Sequence, residues 1–214
     1  MSRRPTLVLA SSNAGKAREF ARLLGERFEV RPLSSGITLP EETGQTFAEN
    51  ARLKAMAVFE ALGGRTAVLA DDSGLEVAAL GGSPGVFSAR YAGEGATDEQ
   101  NVAKLLEELA GVEDRRARFV CCLCLVLPEP EAGAAGPSAG RQVLEVQGIA
   151  PGVITERPRG RDGFGYDPVF RPCGWETTLA EASPADKDRV SHRGAAARAL
   201  LDRLDAEGRR ADGH

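Results

Sequence analysis

Residues able to do chemistry gather in a few short runs of this chain. The densest is ADDSGLEVAALGGSPGVFSARYAG, beginning at Ala70. The apolar run Ala67-Val68-Leu69-Ala70 reads as a buried strand that delivers two adjacent carboxylates, Asp71 and Asp72, followed by Ser73. In open α/β sheets ligands sit beyond the carboxyl ends of the strands. Two acids there suit a hard metal ion or a general base. Asp-Asp-Ser-Gly is also good turn chemistry, and a simple strand cap is the alternative.

The lysines carry a second signal. The chain has 27 Lys plus Arg, yet only four lysines: Lys16, Lys54, Lys104 and Lys187. Where arginine is so favoured, a retained lysine suggests a need for a compact ammonium, such as a phosphate oxygen provides. Lys16 closes the polar turn Ser11-Ser12-Asn13-Ala14-Gly15, after a strand over 6–10 and before a helix over 16–24. Strand, small-residue turn and helix N-terminus make an anion site. It is not a P-loop: the leading glycine is missing and Ala17 stands where the metal-binding hydroxyl would be. An ordinary βα turn is the alternative.

The elements that must position these groups follow from periodicity. Thr46 and Glu49 form a capping box that opens a helix over 46–62, ended by Gly63-Gly64. Its apolar arc holds Phe47, Ala51, Ala55, Val58 and Phe59, and Lys54 falls inside that arc. A lysine there needs a partner or must snorkel out. Asn50 lies one turn before it, and the preceding loop carries Glu41 and Glu42, which either decorate solvent or supply a metal ligand. Thr97 and Gln100 start a second capped helix over 98–110, with Val102, Leu105, Leu106 and Leu109 inward. A short strand over 28–32, an apolar strand over 119–127 and an alternating one over 143–149 complete a mixed sheet, the last two as an antiparallel hairpin. The stretch 128–140 is rich in Pro, Ala and Gly and reads as a flexible connection. In PRGRDGFGYDP the glycines let backbone approach a ligand, Phe164 or Tyr166 can stack on a planar base, and Asp167 can accept hydrogen bonds. A short helical segment begins at 178–181. Ser191 then caps a final helix to about Leu204, putting His192 and Arg193 in its first turn, where positive charge opposes the dipole and hints at an anionic or carbonyl-bearing ligand. Residues 209–214 read as a disordered tail.

Composition bounds the rest. A length of 214 residues supports one domain, 42% apolar and 27% charged residues are ordinary for a globule, and no apolar run is long enough to span a membrane. A net charge of −4 gives no general surface for nucleic acid. Cys121, Cys122, Cys124 and Cys173 read as reduced thiols, not as a disulfide framework or metal site. With no signal-peptide core, a cytoplasmic protein is expected.

Five runs in order, LVLASSNAGKAREF, EETGQTFAENARLKA, ADDSGLEVAALGGSPGVFSARYAG, GFGYDPVF and ADKDRVSHRG, together resemble the inosine triphosphate pyrophosphatase family, the house-cleaning dITP/XTP pyrophosphatases. The likeness spans residue 6 to the final helix. Departures are Ser11-Ser12 where many members have Thr-Gly, the loop 128–140 and the polar tail. The resemblance implies one α/β domain over 1–208, with a mixed elongated central sheet flanked by helices, and two lobes with the site in the cleft between them. It implies a homodimer and hydrolysis of purine nucleoside triphosphates (ITP, dITP, XTP) to monophosphate and pyrophosphate with Mg²⁺. Carried over by position, Ser11, Ser12, Asn13, Ala14, Gly15, Lys16 and Lys54 bind phosphates. Asp72 is proton acceptor and metal ligand, with Glu41 as metal partner, although the adjacent Glu42 leaves that choice open. Ser73, Phe164, Gly165, Tyr166, Asp167, Lys187, His192 and Arg193 bind the substrate, the last group around the base. Water activated by Asp72 is expected to attack phosphorus at the α–β junction, and Arg193, donor-only, to read a 6-oxo base. The rival expectations are a Maf-like pyrophosphatase for other bases, a non-catalytic nucleotide-binding regulator and a nucleic-acid-binding protein.

Overall fold

The computed structural model describes residues 4–129 and 140–211. Six strands form one sheet in the order β2-β1-β3-β4-β5-β6: β1 Thr6–Leu9, β2 Glu29–Pro32, β3 Ala67–Val77, β4 Arg116–Pro128, β5 Arg141–Ile154 and β6 Phe170–Pro172. β1 pairs parallel to both β2 and β3, while β5 and β6 are antiparallel, so the sheet is mixed. The helices are α1 Ala14–Leu24, α2 Phe47–Ala61, α3 Asp98–Glu108, α4 Pro184–Val190 and α5 His192–Ala211. This is the mixed α/β class expected.

The backbone divides into two compact units. One comprises Met1–Asp72, Cys122–Gln147 and Ala196–His214; the other Ser73–Cys121 and Gly148–Ala195. In the first, Leu7, Leu9, Val68 and Leu69 from the parallel strands are buried, as are Phe20 and Leu24 of α1 and Ala51, Ala55, Val58 and Phe59 of α2. In the second, Leu75, Val77, Leu105, Leu109, Phe119, Ile154, Val169 and Phe170 make one core. Each fully buried leucine or phenylalanine contributes about 1.5–3 kcal/mol, enough to hold the helices that carry polar groups.

Three readings change. The strand does not end before the acids: β3 runs on through Asp71, Asp72, Ser73 and Gly74 to Val77. Local turn propensity yields to tertiary pairing: β3 lies between β1 and β4 in the sheet, with β1 paired to its first part over 67–69. Helix α4 was not foreseen as a helix, although Ser183 caps it by accepting from the Asp186 amide and Pro184 sits at its first position. Helix α5 continues past Leu204 to Ala211, through the start of the expected disordered tail. Its last turns are rich in Arg, Ala and Glu, and Arg203 pairs with Glu207 at 3.6 Å. Residues 130–139 of the expected flexible connection and residues 212–214 lie outside the described residues. No described helix is long and apolar enough to cross a membrane.

Candidate functional site

The first unit holds a buried group of acids and lysines. Successive residues of a strand face opposite sides of a sheet, so Asp71 and Asp72, adjacent on β3, point apart. Lys16 Nζ, from the first turn of α1, donates to Asp71, which is fully buried. Asp72 turns to α2. Lys54 Nζ donates to its Oδ1 at 3.1 Å, and Asn50 Nδ2 donates to its Oδ2 at 3.2 Å. Lys54, 5% exposed, also donates to Glu42 at 2.6 Å. The lysine expected to need a partner on an apolar face therefore has two. Glu42, and not Glu41, carries that ion pair; Glu41 is exposed.

The turn before α1 is exposed at Ser12, Asn13 and Ala14. Asn13 caps the helix, its side chain accepting from the Lys16 amide at 3.0 Å, and the first turn carries no acid. The positive end of the helix dipole thus meets solvent beside Lys16.

Electrostatics in this group favour an added cation. Burial pushes the Asp72 carboxyl above its ordinary value and the like charge of Glu42 adds to that, together outweighing Lys54 and Lys16. Lys54, despite its own burial, is held charged by Asp72 and Glu42, which raise its pKa. These directions agree, since three acids, Asp71, Asp72 and Glu42, meet two lysines. Among the described residues no three His, Cys, Asp or Glu side chains converge closely enough to hold a metal alone. One or two carboxylates with room for outside oxygens is the donor set of Mg²⁺ bound together with a polyphosphate, so the residues fit that ion.

The second unit holds a group of another character. Phe164 is half-buried, and both Lys187 Nζ and the Arg193 guanidinium lie 4.9 Å from its ring centroid. Arg193 Nη2 donates to Ser73 Oγ at 2.7 Å. Asp167, 3% exposed, accepts with one oxygen from the Phe164 amide at 3.0 Å and from Lys187 at 2.5 Å. A Cβ on Gly163 would stand 2.2 Å from that same oxygen, and Gly163 has φ +82°, so only glycine lets the loop close over the carboxylate. The amide of Gly165 donates to Asp98 at the start of α3, a loop anchor that sequence reasoning missed. His192 is buried and its ring stacks on Phe119 at 4.6 Å. The two aromatics of the loop separate: Tyr166 belongs to the core, its hydroxyl donating to the Ser88 carbonyl at 2.9 Å, while Phe164 stays half-buried beneath its two cations.

Of the residues singled out, Lys16, Lys54 and Asp72 thus fall in the first group; Ser73, Phe164, Asp167, Lys187 and Arg193 fall in the second. Asp71 and Glu42, offered by the sequence as alternative acids for a metal or base, also fall in the first group, and Asn50 joins it without having been assigned a role. The four cysteines are free thiols, three of them buried, as expected, and burial pushes Cys124 up to about 12.

In the first unit an anion-ready helix N-terminus with paired buried acids and lysines suits a polyanion; in the second, an aromatic ring flanked by cations suits a planar ring. The chain belongs to the Ham1 family, whose model matches residues 7–203. It is similar to the dITP/XTP pyrophosphatase of Bacillus licheniformis, 47% identical over 204 residues that cover 93% of this chain and 97% of the relative. The protein of the same name from Geobacillus kaustophilus is 50% identical over 192 residues, covering 87% and 88%. Among solved structures, the Staphylococcus aureus Ham1 protein matches with a TM-score of 0.78 at 40% identity, covering 94% of this chain and 99% of that one. The Coxiella burnetii HAM1 protein matches with a TM-score of 0.78 at 39% identity.

Proposed function

We propose that this chain hydrolyses non-canonical purine nucleoside triphosphates, namely dITP, ITP and XTP, to the monophosphate and pyrophosphate. The reading is carried by the buried Asp72–Lys54 pair in a chain 47–50% identical, over most of its length, to proteins named dITP/XTP pyrophosphatase. The polyphosphate falls to the Ser11–Lys16 turn, the α1 N-terminus and Lys54. Asp72 accepts the proton of the attacking water. Lys16 and Lys54 stabilise charge that grows on the leaving pyrophosphate. Asp72 with a carboxylate of the Glu41-Glu42 pair would hold a divalent ion, Mg²⁺ in this reading, which when bound would supply charge neutralisation and polarisation of phosphoryl oxygens. The contacts favour Glu42 over Glu41 as that second carboxylate. A binder without catalysis has no use for this arrangement of acids beside phosphate-facing lysines.

The purine falls to the second group. Phe164 offers a stacking face, and Arg193, held by Ser73, presents donors that suit a 6-oxo oxygen and leave adenine's 6-amino group without an acceptor. Lys187 serves the base or nearby phosphate, His192 backs the group against Phe119, and Asp167 sets the loop and Lys187. A homodimer and a cytoplasmic setting belong to the same proposal. The test is pyrophosphate release from ITP, XTP, dITP, ATP, dTTP and UTP, with and without Mg²⁺. The 6-oxo purines should exceed ATP by about 10²-fold or more, as expected when a buried polar group is left unpaired by the wrong base. Equal rates with ATP and ITP would overturn the assignment.

A further inference from the structure

Asn50 lies on the buried face of α2, one helical turn before Lys54, and is 1% exposed. Both ends of its amide are used. Nδ2 donates to Asp72 Oδ2 at 3.2 Å, and Oδ1 accepts from the Gly44 amide at 2.8 Å. The partners fix which end is which, because a carboxylate needs a donor and a backbone N–H needs an acceptor. One turn later Lys54 takes the other oxygen, Oδ1, of the same carboxylate at 3.1 Å. The (i, i+4) pair on one helix therefore holds both oxygens of Asp72.

The loop side is as closely specified. The amides of Gln45 and Thr46 donate to Glu49 at 2.7 and 3.2 Å, so three successive N–H groups dock on the first turns of α2. A Cβ on Gly44 would stand 2.6 Å from Asn50 Oδ1 and 2.7 Å from Glu49 Cβ, so the loop approaches as closely as glycine permits. That docked loop delivers Glu42 to Lys54. Asn50 thus joins Lys54 in touching both the loop bearing Glu41 and Glu42 and the carboxylate of Asp72: Lys54 meets the Glu42 side chain, and Asn50 meets the loop backbone at Gly44.

We infer that Asn50 is a positioning residue: its amide locks the Asp72 carboxylate and the acidic loop in one fixed relation, and so builds the cation and water site they share. This rests on the function proposed above. A neutral amide suits the task. It orients Oδ2 without cancelling its charge, whereas a second ammonium would neutralise the base and a carboxylate would repel it. Groups that orient a ligand or base in this way cost about 10–100-fold in metal affinity or activity when removed.

Two substitutions test it. Asn50→Ala removes both bonds; Asn50→Asp keeps an acceptor for the Gly44 amide, loses the donor to Asp72 and sets a second acid beside that carboxylate. Turnover of dITP should fall about 10-fold or more in both, with KM within about 3-fold, since Asn50 is buried and its amide is taken up by Gly44 and Asp72. Mn²⁺ binding to metal-depleted protein without nucleotide, read by electron paramagnetic resonance, should weaken about 10-fold in Asn50→Ala. Asn50→Asp should keep the docked loop through the Gly44 amide but not turnover. If Asn50 served only as a loop anchor, Asn50→Asp would restore kcat, and that result, or a parental kcat in Asn50→Ala, overturns the inference. Should Asn50→Ala fail to fold, the kcat of Asn50→Asp decides alone. A parent protein inactive on every nucleotide would instead sink the proposed function.

Discussion

The acids and lysines of the first unit and the aromatic group of the second use charge in different ways. Around Asp72 the charges are packed against one another: Lys54 bridges Glu42 and Asp72, and Lys16 meets Asp71. Acids outnumber ammoniums there, and Asp72 is left with a raised pKa. Around Phe164 the cations lie on a ring, and a single carboxylate, Asp167, tethers Lys187 and the loop amide together. The first arrangement suits a reacting phosphate and a metal ion; the second suits a planar ring with a carbonyl edge. In the function proposed above, this difference would place rate in one unit and recognition in the other.

The sharpest way to break that division is to exchange Asp72 for Asn. The volume is kept and the base is lost. Turnover of dITP should fall by at least about 10²-fold, while KM changes far less, because the phosphate turn and the aromatic group are untouched. If kcat stays near the parent's at saturating Mg²⁺, rate does not reside in this carboxylate.

The counterpart in the second unit is Phe164→Ala, with smaller effect and opposite signature. Base–aromatic stacking is worth about 1–3 kcal/mol per base, so KM for dITP should rise about 5-fold or more, with kcat changed little. Replacing Arg193 by Met removes the donors and should narrow the preference for ITP over ATP without abolishing hydrolysis. A mainly kcat effect in Phe164→Ala would mean that the ring positions the reacting end of the nucleotide, and the proposed division would fail.

How much of this was legible in the chain also differs between the units. In the first, Lys54 stood out because an ammonium on the apolar arc of a capped helix must find an acid, and the structure gives it Glu42 and Asp72. The Ser11–Lys16 turn was legible from strand, turn and helix order. The partners of Asn50 were not: they lie 6 and 22 residues away, and only the register of β3 against α2 brings them to it. Asp71 and Asp72 were read as lying beyond a strand, since Asp-Asp-Ser-Gly carries turn chemistry locally and nothing local reveals a strand flanked on both sides. In the second unit the loop was visible from its glycines, but not which aromatic it would expose. Tyr166 is drawn inward by the Ser88 carbonyl and Phe164 is not, a distinction made by tertiary contacts.

The smallest expected effect concerns stability rather than rate, and it tests the claim that charge in the first unit is arranged for function. The folded pKa of Asp72 is raised, chiefly by burial. A carboxyl of this kind stabilises the fold while protonated, and that stability is lost as pH rises through the folded value. Metal-free parent protein at pH 7 should therefore carry the cost of an ionised Asp72, and Asp72→Asn should not. The variant should melt at a temperature equal to or above the parent's at pH 7, and the gap should close below the ordinary carboxyl value of about 3.9. Added Mg²⁺ should raise the Tm of the parent more than that of the variant, since binding to the folded state alone adds stability by mass action. A variant markedly less stable than metal-free parent at pH 7 would mean that the Asp72–Lys54 pair holds the fold together. The contrast between a unit strained for chemistry and a unit packed for recognition would then have to be abandoned.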